Sequence, residues 1–172
     1  QMCIRDRPLL LELCIDDVLD RTIKLIKNQI MVTGIHLKRE GTNDLPPIKG
    51  RSQDLQQAFI NILLNSIQAM KDMSGENTIT IRTEPGPDGY IRIDFSDTGI
   101  GIKPENMKHI FDPFYTTKPV GRGTGLGLSL VYGIIRTHGG YVEVKSEINI
   151  GTMFSIYLPI AVNEEKEANH AS

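Results

Sequence analysis

An α+β two-layer sandwich, with a mixed, mostly antiparallel sheet and helices packed on one face, is the fold class this sequence predicts. Three observations carry the prediction. Segments that alternate apolar and polar residues come in pairs joined by short links, as hairpins require. Three longer segments repeat apolar residues at helical spacing. No strand–glycine-loop–helix run stands where a parallel dinucleotide-binding fold needs one. Helices and hairpins segregated in this way stack as two layers around one core. With 172 residues and 40% hydrophobic content, the chain has enough apolar material for one such domain.

The elements follow in order. Residues 1–7, QMCIRDR, read as a translated sequencing-adapter remnant, and the natural protein is expected to continue upstream. Residues 8–32 are expected to cover a junction with that upstream part and a first helix from Leu9 to about Met31. Its buried face is traced by positions 11, 15, 18, 19, 22, 23, 25, 26 and 30. TGIHLKRE, from Thr33, reads as a strand, and GTNDLPPIKG, with two prolines, as a loop. Ser52 and Asp54 are candidate caps for a second helix that runs to about Lys71. NTITIRTE and YIRIDFSD flank the turn-rich PGPDG as a hairpin. A short helix is expected near Pro104–His109, then FDPFYTTKPVGRGTG, loop-like despite three aromatics. LGLSLVYGIIRTH forms a third helix stopped by Gly139 and Gly140. YVEVKSE and TMFSIYLPI make the last strand pair, and residues 161–172 are a polar tail expected to be disordered.

Bulk chemistry narrows the function classes. Lys plus Arg is 19 against 21 for Asp plus Glu, so the basic excess that nucleic-acid binding needs is missing. Cys3 and Cys14 have neither metal-ligand nor disulfide-framework spacing, which fits a reducing compartment. The longest apolar runs are too short to span a bilayer, and the start lacks the ordered regions of a signal peptide.

The second helix carries the first chemical signal. Asparagine is a mediocre helix former, because its side chain competes for backbone hydrogen bonds. Yet Asn61 and Asn65 sit one turn apart among Phe, Ile and Leu. At about 100° per residue, Asp54, Gln57, Asn61, Asn65, Gln68 and Asp72 share one narrow line. A solvated face is the plain explanation, but such faces usually carry Lys and Glu, and the centre of this one has neither. Amide oxygens held on a rigid helix suit a hard cation such as Mg²⁺, which keeps waters and takes phosphate oxygens as well.

Two glycine-containing stretches add to it. In DTGIG, Asp97 ends a strand where its carboxylate could accept the exocyclic amine of adenine, while Gly99 and Gly101 let backbone approach a base. Alone, a tight turn explains it as well. GRGTGLGLS places Gly121, Gly123, Gly125 and Gly127 directly before a helix, so free N–H groups converge at its positive end and suit a phosphate chain. Neither G-x-x-x-x-G-K-[ST] nor G-x-G-x-x-G is present.

Together these blocks resemble the catalytic, ATP-binding domain of sensor histidine kinases, within the superfamily of gyrase, MutL and the ninety-kilodalton heat-shock chaperone. The resemblance rests on NILLNSIQA (the N box), DTGIG (G1), FDPFYTTK (the F box), GRGTGLGLS (G2) and the closing GGYVEVKSEINIGTMFSIYLP, in order across residues 33–160. It implies ATP and Mg²⁺ as cofactors, with Asn65 as metal ligand and Asn61 beside the phosphates. It further implies Asp97 on adenine N6, Gly99 and Gly101 shaping the base pocket, and Phe111 and Phe114 anchoring a lid over ATP. Lys118 and Arg122 would reach the phosphates or the partner domain. Gly123, Thr124, Gly125 and Gly127, with the amides of Leu126 and Leu128, would hold the phosphate tail. Thr116 and Thr117 are candidate lid caps. Gln68 departs from the family, in which a basic residue is common three positions after the second asparagine; that phosphate contact would pass to Lys118 or Arg122.

The implied chemistry is phosphoryl transfer, with Asn61 and Lys118 in catalytic positions. Where ATP-hydrolysing relatives place a glutamate as general base, this chain has Asn61, and an amide has no comparable basicity. ATP would therefore be held until a histidine on a separate dimerisation domain arrives. His36, His109, His138 and His170 all lack the following acidic residue, basic residue and proline of an acceptor site. The acceptor is thus expected on the missing upstream part, with a response regulator receiver domain as the next partner. The full-length protein is expected to be a homodimer, its catalytic domain cytoplasmic and the whole anchored in a bacterial inner membrane. An anti-sigma-factor serine kinase, a gyrase-like ATPase and a non-enzymatic nucleotide switch remain the alternatives.

Overall fold

The structure is a computed structural model, and it describes residues 10–121 and 123–162. The expectations for residues 1–7, for the tail beyond residue 162 and for Arg122 lie outside the described residues.

The main sheet has five strands in the order β2-β4-β5-β7-β6. These are β2 (His36–Gly41), β4 (Thr78–Pro85), β5 (Tyr90–Asp97), β6 (Tyr141–Glu147) and β7 (Gly151–Pro159). The β4–β5, β5–β7 and β6–β7 pairs are antiparallel, and β2–β4 is parallel. A parallel pair needs a crossover, and here the connection contains the helix α2 (Ser52–Met70). The alternation predicted along β5 holds: Ile91, Ile93 and Phe95 are fully buried on the helix side. They meet Phe154, Ile156 and Leu158 from β7 and Leu55, Phe59, Ile62 and Leu63 from α2. Phe59 and Phe95 bring their ring centroids to 5.3 Å across the two layers.

The far face of the sheet is polar. Arg92 pairs with Asp94 at 2.9 Å and Glu84 at 3.3 Å, and Tyr141 stacks on Tyr157 with centroids 4.3 Å apart. One greasy face and one polar face explain the period-two pattern that made the strands legible.

Four expectations are corrected. The first helix, α1, spans Ile15–Thr33, because Leu11–Leu13 forms β1 instead and pairs antiparallel with β3 (Ile48–Gly50). The helical spacing predicts helix over that segment and the prolines predict a loop around β3, but each strand is three residues long, too short to show a period. The caps also differ. Arg51 precedes α2 without a side-chain cap; Ser52 Oγ accepts a hydrogen bond from Gln56, and Asp54 pairs with Arg51 at 2.9 Å. The short helix Pro104–His109 is 3₁₀, and α3 spans Gly127–Thr137. On α1 the face Ile15, Val18, Leu19, Thr22, Ile26 and Ile30 is buried as expected, whereas Leu25 stays exposed.

Candidate functional site

The stripe on α2 faces a cavity of about 540 Å³. Asn61 and Asn65 line it and are half-buried, while Gln68, one turn further on, is exposed at its edge. The opposite wall is the segment between the 3₁₀ helix and α3, with Lys118, Gly123, Thr124, Gly125, Gly127 and Leu128 at the cavity. Apolar cover comes from Leu64, Ile102 and Ile110. Among the described lining residues the ionisable side chains are Lys118 and Tyr115, and none is acidic. A cavity with amides, main-chain donors, one ammonium and no carboxylate suits an anion.

The glycines are needed for close approach. Gly125 has φ +67, and a Cβ there would lie 2.3 Å from the Phe114 backbone. Its carbonyl accepts a 2.9 Å hydrogen bond from Phe114 N–H, and Phe114 itself sits at φ 65. The two ends of the 111–126 segment are thus clasped backbone to backbone. Gly125→Ala should break the clasp. Hydrogen exchange at the Phe114 amide is then expected to accelerate about tenfold or more, with the core unaffected; unchanged exchange would show that the clasp adds nothing.

α3 opens at Gly127 with no side-chain cap, so its first N–H groups, from Gly127 and Leu128, have no intrahelical acceptor. Leu126 N–H donates to Thr124 Oγ1 at 3.3 Å, which holds the turn before the helix and leaves the Leu126 side chain outside the cavity. Phe111 anchors the segment through its ring, 5.6 Å from Tyr132 and 6.5 Å from Phe154. Phe114 anchors it only through its backbone; its ring is 74% exposed. Thr116 Oγ1 accepts from Lys118 N–H at 3.1 Å, which ties a turn within the segment.

Asp97 lies beside this cavity rather than in its lining, at the end of β5 against the later turns of α2. Its Oδ1 accepts from Gly99 N–H at 2.9 Å and Thr152 N–H at 3.3 Å. Oδ2 is buried with no partner, and so is the Ser66 hydroxyl, which lies near the carboxyl without a hydrogen bond of good geometry. Burial pushes the Asp97 pKa up, opposed by Gly99, Ser66 and Thr152. Gly99 and Gly101 are pinned on either side: a Cβ on Gly99 would fall 2.8 Å from Ala69 Cβ, and one on Gly101 2.3 Å from the Glu147 carbonyl oxygen. DTGIG is therefore a spacer clamped between α2 and the β6–β7 turn.

The structure thus brings Asn61, Asn65, Lys118 and the glycine loop around one cavity, with Asp97, Gly99 and Gly101 at its flank. Residues 50–162 match the family model described as histidine kinase-, DNA gyrase B-, and HSP90-like ATPase. The chain belongs to that family. Among curated relatives, the sensor kinase CckA of Brucella abortus (strain 2308) is 37% identical over 90% of this chain, which spans 18% of that protein. The catalytic domain of histidine kinase ThkA superposes with a TM-score of 0.76 at 27% identity, over 87% of this chain and 97% of that one. Full-length ShkA in complex with AMPPNP superposes with a TM-score of 0.78 at 25% identity, over 90% of this chain and 32% of that one. Family membership makes ATP binding the property of this domain.

Several lining residues escaped the sequence. Ile102, Asn106, Ile110 and Tyr115 carry no residue-type signal, since isoleucine and tyrosine serve any core. Thr152, which lies outside the lining and donates to Asp97, was hidden as well, because β5 and β7 pair across the intervening α3 and β6 rather than as a hairpin. Among the described histidines, His36, His109 and His138 all lie outside the cavity lining. His138 is buried with both ring nitrogens engaged, accepting from Arg51 N–H at 3.1 Å and meeting Ile134 O at 2.8 Å.

Proposed function

We propose that this chain is the ATP-binding catalytic part of a sensor histidine kinase, which holds Mg-ATP for phosphoryl transfer to a histidine on a dimerisation domain. The observation that carries the reading is the single cavity where the asparagine stripe faces the glycine loop and Lys118, with no acidic side chain among the described lining residues. The chain spans 18 to 32% of the first curated kinases it matches, and the reading assigns the acceptor, the signal and any membrane anchor to further parts of a longer protein. No helix among the described residues is long and apolar enough to cross a membrane. A homodimer anchored in the bacterial inner membrane, with this domain in the cytoplasm and a response regulator receiver domain as the next partner, completes the proposal.

Each residue has a physical task. The Gly127 and Leu128 amides and the α3 dipole hold the phosphate tail. Asn61 and Asn65 offer two amide oxygens on one face of a stiff helix, a donor set that fits a hard cation whose other ligands are phosphate and water. Such an ion, when bound, neutralises charge on the β- and γ-phosphates. Lys118 adds a positive charge from the lid. Asn61 cannot take a proton from water, so the site protects ATP from hydrolysis and favours transfer to an imidazole. Asp97 Oδ2, the carboxylate oxygen with no protein partner, accepts the adenine amine.

The test mixes the chain with an acceptor-bearing dimerisation domain and ATP radiolabelled on the γ-phosphate. Acid-labile label on the acceptor histidine is the expected result. Acid-stable serine phosphate would replace the reading with a serine kinase, and nucleotide binding without transfer would reduce it to a binding module.

A further inference from the structure

Lys118 is the one cationic side chain among the described cavity-lining residues. Its pose is built. Lys118 N–H donates to Thr116 Oγ1 at 3.1 Å, and the loop returns so closely that a Cβ on Gly123 would lie 3.0 Å from Lys118 Cδ. The Nζ reaches across the cavity and donates to Oε1 of Gln68 on α2, three residues after Asn65. Burial lowers its pKa, and no carboxylate among the lining residues compensates. A partly desolvated ammonium whose partner is a neutral amide is electrostatically incomplete.

We propose that Gln68 is a positioning residue that parks the Lys118 ammonium above the asparagine stripe, from which the lid delivers its charge to the terminal phosphates of the bound nucleotide. This rests on the nucleotide reading above. The residue type at 68 matters. A neutral amide accepts the ammonium yet yields to a phosphate, whose charge-assisted hydrogen bond is roughly twice as strong. A glutamate there would keep the lysine as an ion pair and repel phosphate. A second lysine would drive Lys118 away. Because the cation comes from the lid rather than from the helix, phosphate contact depends on lid position.

The test is calorimetric titration of the whole chain with Mg-ATP and, separately, with adenosine. Lys118→Ala is expected to weaken Mg-ATP binding about tenfold or more and leave adenosine unchanged. Gln68→Glu should weaken Mg-ATP about tenfold, and the exchanged pair Gln68→Lys with Lys118→Gln should return affinity to within about threefold of the parent. Parent Mg-ATP affinity should fall as pH rises through the lowered Lys118 pKa, and Lys118→Arg should stay flat over that range. Tyr115, the other ionisable lining side chain, is common to both proteins, and Gln68, Thr116 and the asparagines are neutral. Unchanged Mg-ATP binding in Lys118→Ala or Gln68→Glu overturns the proposal, as does an equal loss of adenosine binding or failure of the exchanged pair to recover. A parent chain that binds neither ligand overturns the nucleotide reading and this inference together; a parent that binds both, with unaffected variants, removes only the inference.

Discussion

Asp97→Asn is expected to bind adenine nucleotides about 10- to 100-fold more weakly while folding more stably than the parent. The two effects share one cause. Asp97 is 6% exposed, with Oδ1 satisfied by two backbone amides and Oδ2 by nothing. An asparagine oxygen can still accept from Gly99 and Thr152, and its NH₂ can donate to the unpartnered Ser66 hydroxyl beside it. The buried charge is gone and the shape is kept. The amide then presents a donor where a donor must arrive, so the exocyclic amine of adenine is rejected.

The pH dependence follows from the raised pKa of Asp97, above the ordinary 3.8 because of burial. In the unfolded chain the carboxyl ionises near that ordinary value, while in the folded chain it keeps its proton to higher pH. Below the ordinary value both states are protonated and the group costs nothing. As pH rises through the folded pKa, the stability this proton provides is lost. Melting curves of parent and Asp97→Asn should therefore converge in acid and separate as pH rises toward neutral. At neutral pH the variant should gain roughly 1 kcal/mol, or about 2–4 °C in Tm. A variant that melts lower at neutral pH, or binds ATP as the parent does, would take Asp97 out of this role.

Asn65→Ala should separate metal dependence from folding. Asn65 is half-buried at the cavity wall on a helix whose other faces are packed. Alanine is the better helix former by roughly half a kcal/mol, so Tm should hold or rise. Removing a direct ligand should lower Mg²⁺-dependent ATP affinity by at least about 100-fold, more than loss of a supporting contact does. Titrations with and without chelator measure this directly: the parent's affinity should drop on chelation, and the variant's should already be low. A variant that keeps the full magnesium effect would place the ion elsewhere.

The stripe was legible because its neighbours are so uniformly apolar: a polar line on a buried helix is a contrast visible without coordinates. The hairpins were legible for the same reason, since one side of the sheet is core and the other carries Arg92, Asp94 and the stacked tyrosines. The β1–β3 pairing was not legible. Its three-residue strands take their hydrogen bonds from a partner nearly forty residues away in sequence, on the order of ten times the strand length. Nor could the sequence show that Phe111 holds the lid by its ring and Phe114 by its backbone. Identical residue types end in opposite environments because the Gly125 turn fixes the backbone of one and leaves its side chain in water.

By itself, then, the sequence determined the longer elements, most of the faces they bury and the polar line on α2 that core packing does not explain. Local propensity and periodicity encode all three. Only the tertiary structure decided that Lys118 meets Gln68, that Asp97 stands covered against Ser66 with one oxygen unspent, and that the cavity lacks acidic neighbours among its described residues. These are relations between segments far apart in the chain. Loop closure and packing set them, and no window of neighbouring residues contains the distance that matters.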